Sequence, residues 1–101
     1  MIAQTILQQI GGRRFTVMTG SKKLIDIGKG LRMSLSRNKT QANRLEIVLD
    51  ESTDTYTMRF YKQSITKHFD VKIKEIAEYD MVYCDMLEEM FTSVTGLCTR
   101  F

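Results

Sequence analysis

Between Leu31 and Tyr61 lie three short runs in which an apolar side chain recurs at every second residue. Leu31, Met33 and Leu35 alternate with Arg32, Ser34 and Ser36. Leu45, Ile47 and Leu49 alternate with Arg44, Glu46 and Val48, and Tyr56, Met58 and Phe60 with Thr57, Arg59 and Tyr61. Successive side chains of a strand point to opposite faces, so a period of two marks a strand with one buried face and one solvated face. The polar segment 37–43 and the acidic turn 50–54 separate the three runs, which together predict an antiparallel β-meander.

Two further runs share this period. Phe15, Val17 and Thr19 alternate with Arg14, Thr16 and Met18, which predicts a strand before the meander, closed by a turn over 20–23. Residues 24–27 then read as a short edge strand or as loop. Phe69, Val71 and Ile73 predict a last strand that sends these three inward and Asp70, Lys72 and Lys74 outward.

The ends of the chain repeat differently. Ile2, Ala3, Ile6, Leu7 and Ile10 have helical spacing and are followed by Gly11-Gly12, where a helix C-cap favours glycine. From Asp80, read as an N-cap, Val82, Met86, Leu87, Met90, Phe91 and Val94 recur at helical intervals until Gly96. The expected fold is α+β: an antiparallel meander of four to five strands with an N-terminal and a C-terminal helix packed on one face, as a single domain over 1–101.

At 101 residues, 43% hydrophobic and 27% charged, such a domain can bury a core without metal or disulfide staples. Apolar runs fall short of the roughly 18 residues of a membrane span, so no membrane association is expected. The first ten residues have no basic region ahead of an apolar run, unlike a secretory signal, and a cytoplasmic location is expected. Cys84 and Cys98 form no CxxC pair, and free cysteine is among the most buried residue types, so they read as small buried hydrophobes or with one of them loosely exposed; nothing in the sequence supports a disulfide between them.

Charge is unevenly distributed. Residues 1–44 carry nine Lys or Arg against Asp26 alone, a net +8; residues 45–101 carry six against eleven acids, a net −5, for a total of +3. Either the fold keeps these apart as two charged surfaces, or it interleaves them. The outward strand positions include Arg32, Ser34, Arg44, Arg59, Tyr61, Lys72 and Lys74. Cations on an exposed sheet face attract phosphate backbones, and a tyrosine among them can stack on an unpaired base. Arg32, Arg44, Arg59, Tyr61 and Lys72 are therefore the candidate contacts for DNA or RNA. Asp85, Glu88 and Glu89, three and four residues apart, are expected on one side of the last helix, a candidate surface for a basic partner protein.

Catalytic signals are lacking. His68 is the only histidine, and no nucleophile elbow, P-loop or dinucleotide glycine pattern occurs. The expectation is a non-enzymatic binding protein with neither metal nor cofactor. Homodimerisation through an unpaired edge strand is a further, compatible expectation.

Three segments together resemble a known group of proteins. They are the run Ile10-Gly11-Gly12-Arg13-Arg14-Phe15-Thr16-Val17-Met18-Thr19-Gly20; Asn43-Arg44-Leu45-Glu46-Ile47 with Asp54-Thr55-Tyr56; and Tyr83-Cys84-Asp85-Met86-Leu87 leading to Phe91-Thr92-Ser93-Val94-Thr95-Gly96-Leu97. The group consists of proteins of similar length encoded by bacteriophages, prophages and other bacterial mobile elements. The resemblance implies a small accessory protein acting inside a bacterial host, on nucleic acid or on a host protein as its inhibitor. It brings no activity and no site residues with it.

Overall fold

The computed structural model describes residues 2–36, 40 and 42–97. Two helices, α1 (Ile2–Ile10) and α2 (Gly12–Thr19), lead into five strands: β1 (Lys22–Asp26), β2 (Gly30–Ser34), β3 (Arg44–Asp50), β4 (Thr55–Ile65) and β5 (Val71–Val82). A 3-10 turn (Cys84–Met86) and helix α3 (Leu87–Thr95) follow. The strands form one antiparallel sheet in sequence order, a meander, and the architecture is α+β.

Strand alternation builds the core. Leu31, Met33, Leu45, Ile47, Tyr56, Met58 and Phe60 are all buried on the helix side. Ala3, Ile6 and Ile10 of α1, Phe15 of α2, and Leu87 and Phe91 of α3 close over them. Phe15 and Phe91 meet edge to face at 4.8 Å, and Phe91 lies 6.4 Å from Phe60 of the sheet. Each such side chain contributes about 1.5–3 kcal/mol by leaving water.

The segment predicted as a strand around Phe15 is helix α2. Gly11 and Gly12, both at positive φ, let the chain turn and start a second helix, and Gly20 caps its end in the left-handed conformation. Helical spacing puts Phe15 and Thr19 in the core together, and Thr19 Oγ1 donates to the Phe15 carbonyl at 2.7 Å. Packing against Phe91 outweighs the strand preference of Val17 and Thr16. Residues 22–26, divided at the sequence level between a turn and an edge strand, form the exposed edge strand β1.

The other boundary to move is at the last helix. Asp80 is not its N-cap but belongs to β5, which runs on until Val82 enters the core opposite Tyr56. The helix begins only at Leu87. Strand β5 reaches twelve residues by bulging twice, between its pairings with Tyr56 and Met58 and again between those with Phe60 and Tyr61. Met81, at φ 56, sits in the first of these bulges.

The last strand also departs in its exposure. Phe69, Val71 and Ile73, expected inward, are 86%, 56% and 53% exposed. Strand β3 pairs with β4 only as far as Tyr61, so beyond it β4 and β5 continue as a two-stranded ribbon. Of the two cysteines, Cys84 is exposed, the alternative allowed for one of them, and Cys98 lies outside the described residues. No helix among the described residues is long and apolar enough to cross a membrane.

Candidate functional site

The sheet face away from the helices is crossed by two rows of paired residues. Ile25, Arg32, Glu46, Arg59 and Glu78 make one, in order from β1 to β5; Lys22, Ser34, Arg44, Tyr61 and Glu75 make the other. The early cations Lys22, Arg32 and Arg44 thus gather on β1–β3, whereas the β3–β5 side of this face carries Arg59 among Glu46, Glu75 and Glu78, all from the second half of the sequence. Cross-strand neighbours of opposite sign stabilise each other and cancel at a distance.

Arg59 is the centre of this cancellation. Its Nε donates to Glu75 Oε1 at 2.5 Å and its Nη1 lies 3.4 Å from Glu46 Oε2. The Glu75 hydrogen bond, with the charges of Glu75 and Glu46, holds the guanidinium ionised more firmly than usual. The same guanidinium lies 4.7 Å from the centre of the Tyr61 ring. Tyr61 is only 2% exposed, and burial, followed by a hydrogen bond with Glu46, pushes its hydroxyl pKa up. Tyr61 therefore does not offer the free ring expected for base stacking. Arg59 is not the open phosphate contact expected, because two carboxylates already hold it.

Lys72 is also placed differently from the sequence reading. It pairs with Ser64, and Lys74 pairs with Lys62, which puts these side chains on the face opposite Arg59 and Tyr61. The bulge that resets alternation in β5 cannot be seen in a period-two pattern.

Arg32 and Arg44 remain on the open face, and the structure brings Lys23 to them. The three line a cleft of about 230 Å³ with Ile25, Ser34 and Gln63, and no carboxylate lines it. Arg44 Nη1 donates to the Asn43 carbonyl at 2.9 Å, which anchors one edge of the guanidinium at the cleft. Among the described residues, no acid is ion-paired with Lys23, Arg32 or Arg44. Lys23 reaches the site from a kink in β1, where its φ is 55 and the pairing with β2 slips between Lys22 and Ile25. The sequence places Lys23 in the turn over 20–23; as part of β1 it is instead a wall of the cleft.

The acidic candidates are split. Asp85 lies in the 3-10 turn and Glu89 is exposed on α3, whereas Glu88 is half-buried and 3.8 Å from Arg14 Nη2 of α2. The three do not make a single helix side, because the helix begins after Asp85. Among the described residues, no group of three or more His, Cys, Asp or Glu could hold a metal ion.

No family model, no curated protein and no solved structure matches the chain.

Proposed function

We propose that the protein is a non-catalytic, phage-type accessory protein that binds the phosphate backbone of nucleic acid at the cleft between β1, β2 and β3. The observation that carries this reading is the lining: Lys23, Arg32 and Arg44 together, with Ser34 and Gln63 as hydrogen-bonding neighbours and no carboxylate. Arginine forks match phosphate oxygens in pairs, and lysine adds a point charge. Beyond the cleft the paired rows of the open face carry Arg59 against Glu46, Glu75 and Glu78, so the cationic corner alone supplies the attraction. The resemblance to mobile-element proteins supports an intracellular setting in which nucleic acid is abundant. The acidic surface of the last helix is less favoured as a partner site, since Glu88 is spent on Arg14.

The test is fluorescence anisotropy with labelled single- and double-stranded oligonucleotides of DNA and RNA. Binding is expected at about 50 mM salt, and it weakens steeply as salt rises. The Arg32→Gln/Arg44→Gln double variant is expected to lower the salt slope by about two units. Absence of binding to every oligonucleotide at low salt overturns the proposal.

A further inference from the structure

Beyond Tyr61 the β4–β5 ribbon leaves the sheet and carries Lys62, Lys72 and Lys74 on the helix-side face with Ser64 between them. These four line a second cleft of about 360 Å³ with Ile73, again without a carboxylate. On the other face lie Gln63, Ile65, Val71 and Ile73, whose apolar members are all exposed. Gln63 also lines the Lys23–Arg32–Arg44 cleft, so the ribbon springs directly from the first site and has cations on both sides of its base. Four lysines against Asp70 make the segment 62–74 strongly cationic.

The tip is built to present an aromatic ring. Thr66 N–H donates to the Asp70 carbonyl and Phe69 N–H to the Thr66 carbonyl, while Thr66 Oγ1 accepts from Asp70 N–H. This closed loop holds Phe69 at φ 64, in a region that bulky residues avoid, and leaves its ring 86% exposed. An exposed aromatic residue in a strained backbone position, at the end of a cationic ribbon, has no role in the core.

We propose that the β4–β5 ribbon enters the major groove of a DNA duplex tip first. This inference rests on the nucleic-acid reading and names its substrate class. The major groove of B-form DNA is about 12 Å wide and about 8.5 Å deep, and it admits a two-stranded ribbon. Four residues from Lys62 to Ile65 at about 3.3 Å each span roughly 13 Å, enough to bring the tip to the base edges. Lys62, Lys72 and Lys74 then face the phosphates of one groove wall, and the Lys23–Arg32–Arg44 cleft faces those at the ribbon's base. Ile65, Val71 and Ile73 meet sugar and thymine methyl groups, and Phe69 wedges against the bases. An A-form RNA duplex has a deep, narrow major groove that refuses such a ribbon.

The experiment compares a DNA duplex with an RNA duplex of the same sequence, using the wild-type chain, Lys62→Gln/Lys72→Gln/Lys74→Gln and Phe69→Gly. All four substituted positions are exposed, and glycine relieves the positive φ, so the variants are expected to fold, as circular dichroism will check. The DNA duplex is expected to bind at least tenfold more tightly than the RNA duplex. The triple variant is expected to lose about two to three units of salt slope on DNA, and Phe69→Gly several-fold in affinity with unchanged slope. Equal binding of both duplexes, unchanged in the arm variants but lost in Arg32→Gln/Arg44→Gln, overturns groove entry and leaves the cleft reading standing. No binding by the wild-type chain overturns both. A dimer in sedimentation that Ile65→Ser/Ile73→Ser dissociates would assign the apolar ribbon face to a second copy, which also overturns groove entry.

Discussion

The Asn43 side chain stands in for a peptide group opposite Gln63. Its Nδ2 donates to the Gln63 carbonyl at 2.9 Å, and its Oδ1 accepts from the Gln63 N–H at 2.8 Å. Asn43 N–H in turn donates to the Tyr61 carbonyl, so the β3–β4 ladder is prolonged by one side-chain amide just before β3 begins at Arg44. The ribbon is thereby held at its root, next to the cationic cleft. Asn43→Ala removes both side-chain bonds and is expected to cost about 1–3 kcal/mol, read as a lower Tm. Faster hydrogen exchange at the Gln63 amide, with core amides unchanged, would localise the loss; an unchanged rate there refutes this account.

Gly30 is fixed by close approach rather than by backbone angle. A Cβ at this position would collide with the Ile47 carbonyl oxygen and lie 2.9 Å from Val48 Cα. Both are backbone atoms of the paired strand β3, which cannot swing aside as a side chain does. Gly30→Ala is expected to destabilise the protein by about 2–3 kcal/mol in chemical denaturation. A change below about 0.5 kcal/mol, ordinary for a surface substitution, would contradict the clash.

Arg59 can be released from its acids. Glu75→Gln removes the partner that contributes most to holding its charge, leaving Glu46 at 3.4 Å. The open face gains one unit of net positive charge, so oligonucleotide affinity at low salt is expected to rise roughly two- to fivefold. Stability should change little, because the pair is partly exposed. Weaker binding in this variant would mean that Glu75 itself faces the ligand.

Tyr56 and Tyr61 are both pushed above the ordinary tyrosine pKa, in each case mainly by burial. The folded state holds these two protons more tightly than the unfolded state. Their stabilising contribution is therefore intact below about pH 10, the unfolded value, and is lost as pH rises from there through the higher folded values. A tyrosinate absorbance titration is expected to show two groups ionising late, together with alkaline unfolding. Tyr61→Phe should remove one late group; a titration in which every tyrosine ionises with a midpoint of about pH 10 would show that the rings are solvated.

Strand alternation made the meander legible at the level of residues 31–35, 45–49 and 56–60, and every inward residue named there except Leu49 is buried. It was silent where two elements compete for the same pattern. Around Phe15, alternation and helical spacing fit equally well, and the deciding contact with Phe91 lies far along the chain. In β5 the bulges break the period locally, so Lys72 and Lys74 changed faces relative to the reading from alternation. Of the nucleic-acid candidates, Arg32 and Arg44 share a cleft, whereas Arg59 and Tyr61 are engaged with each other and with Glu46.

The sequence by itself determined the three central strands, at 31–35, 45–49 and 56–60, and which of their faces is buried, because a period of two and the burial of apolar surface are local consequences of residue order. It also determined that the chain is cationic early and acidic late. Whether those charges separate or cancel was decided only by the tertiary structure. Register sets Glu46 and Glu75 beside Arg59, whereas Lys23, Arg32 and Arg44 meet with no acid among them. Charge neutralisation depends on distance across strands, and sequence separation carries no information about that distance.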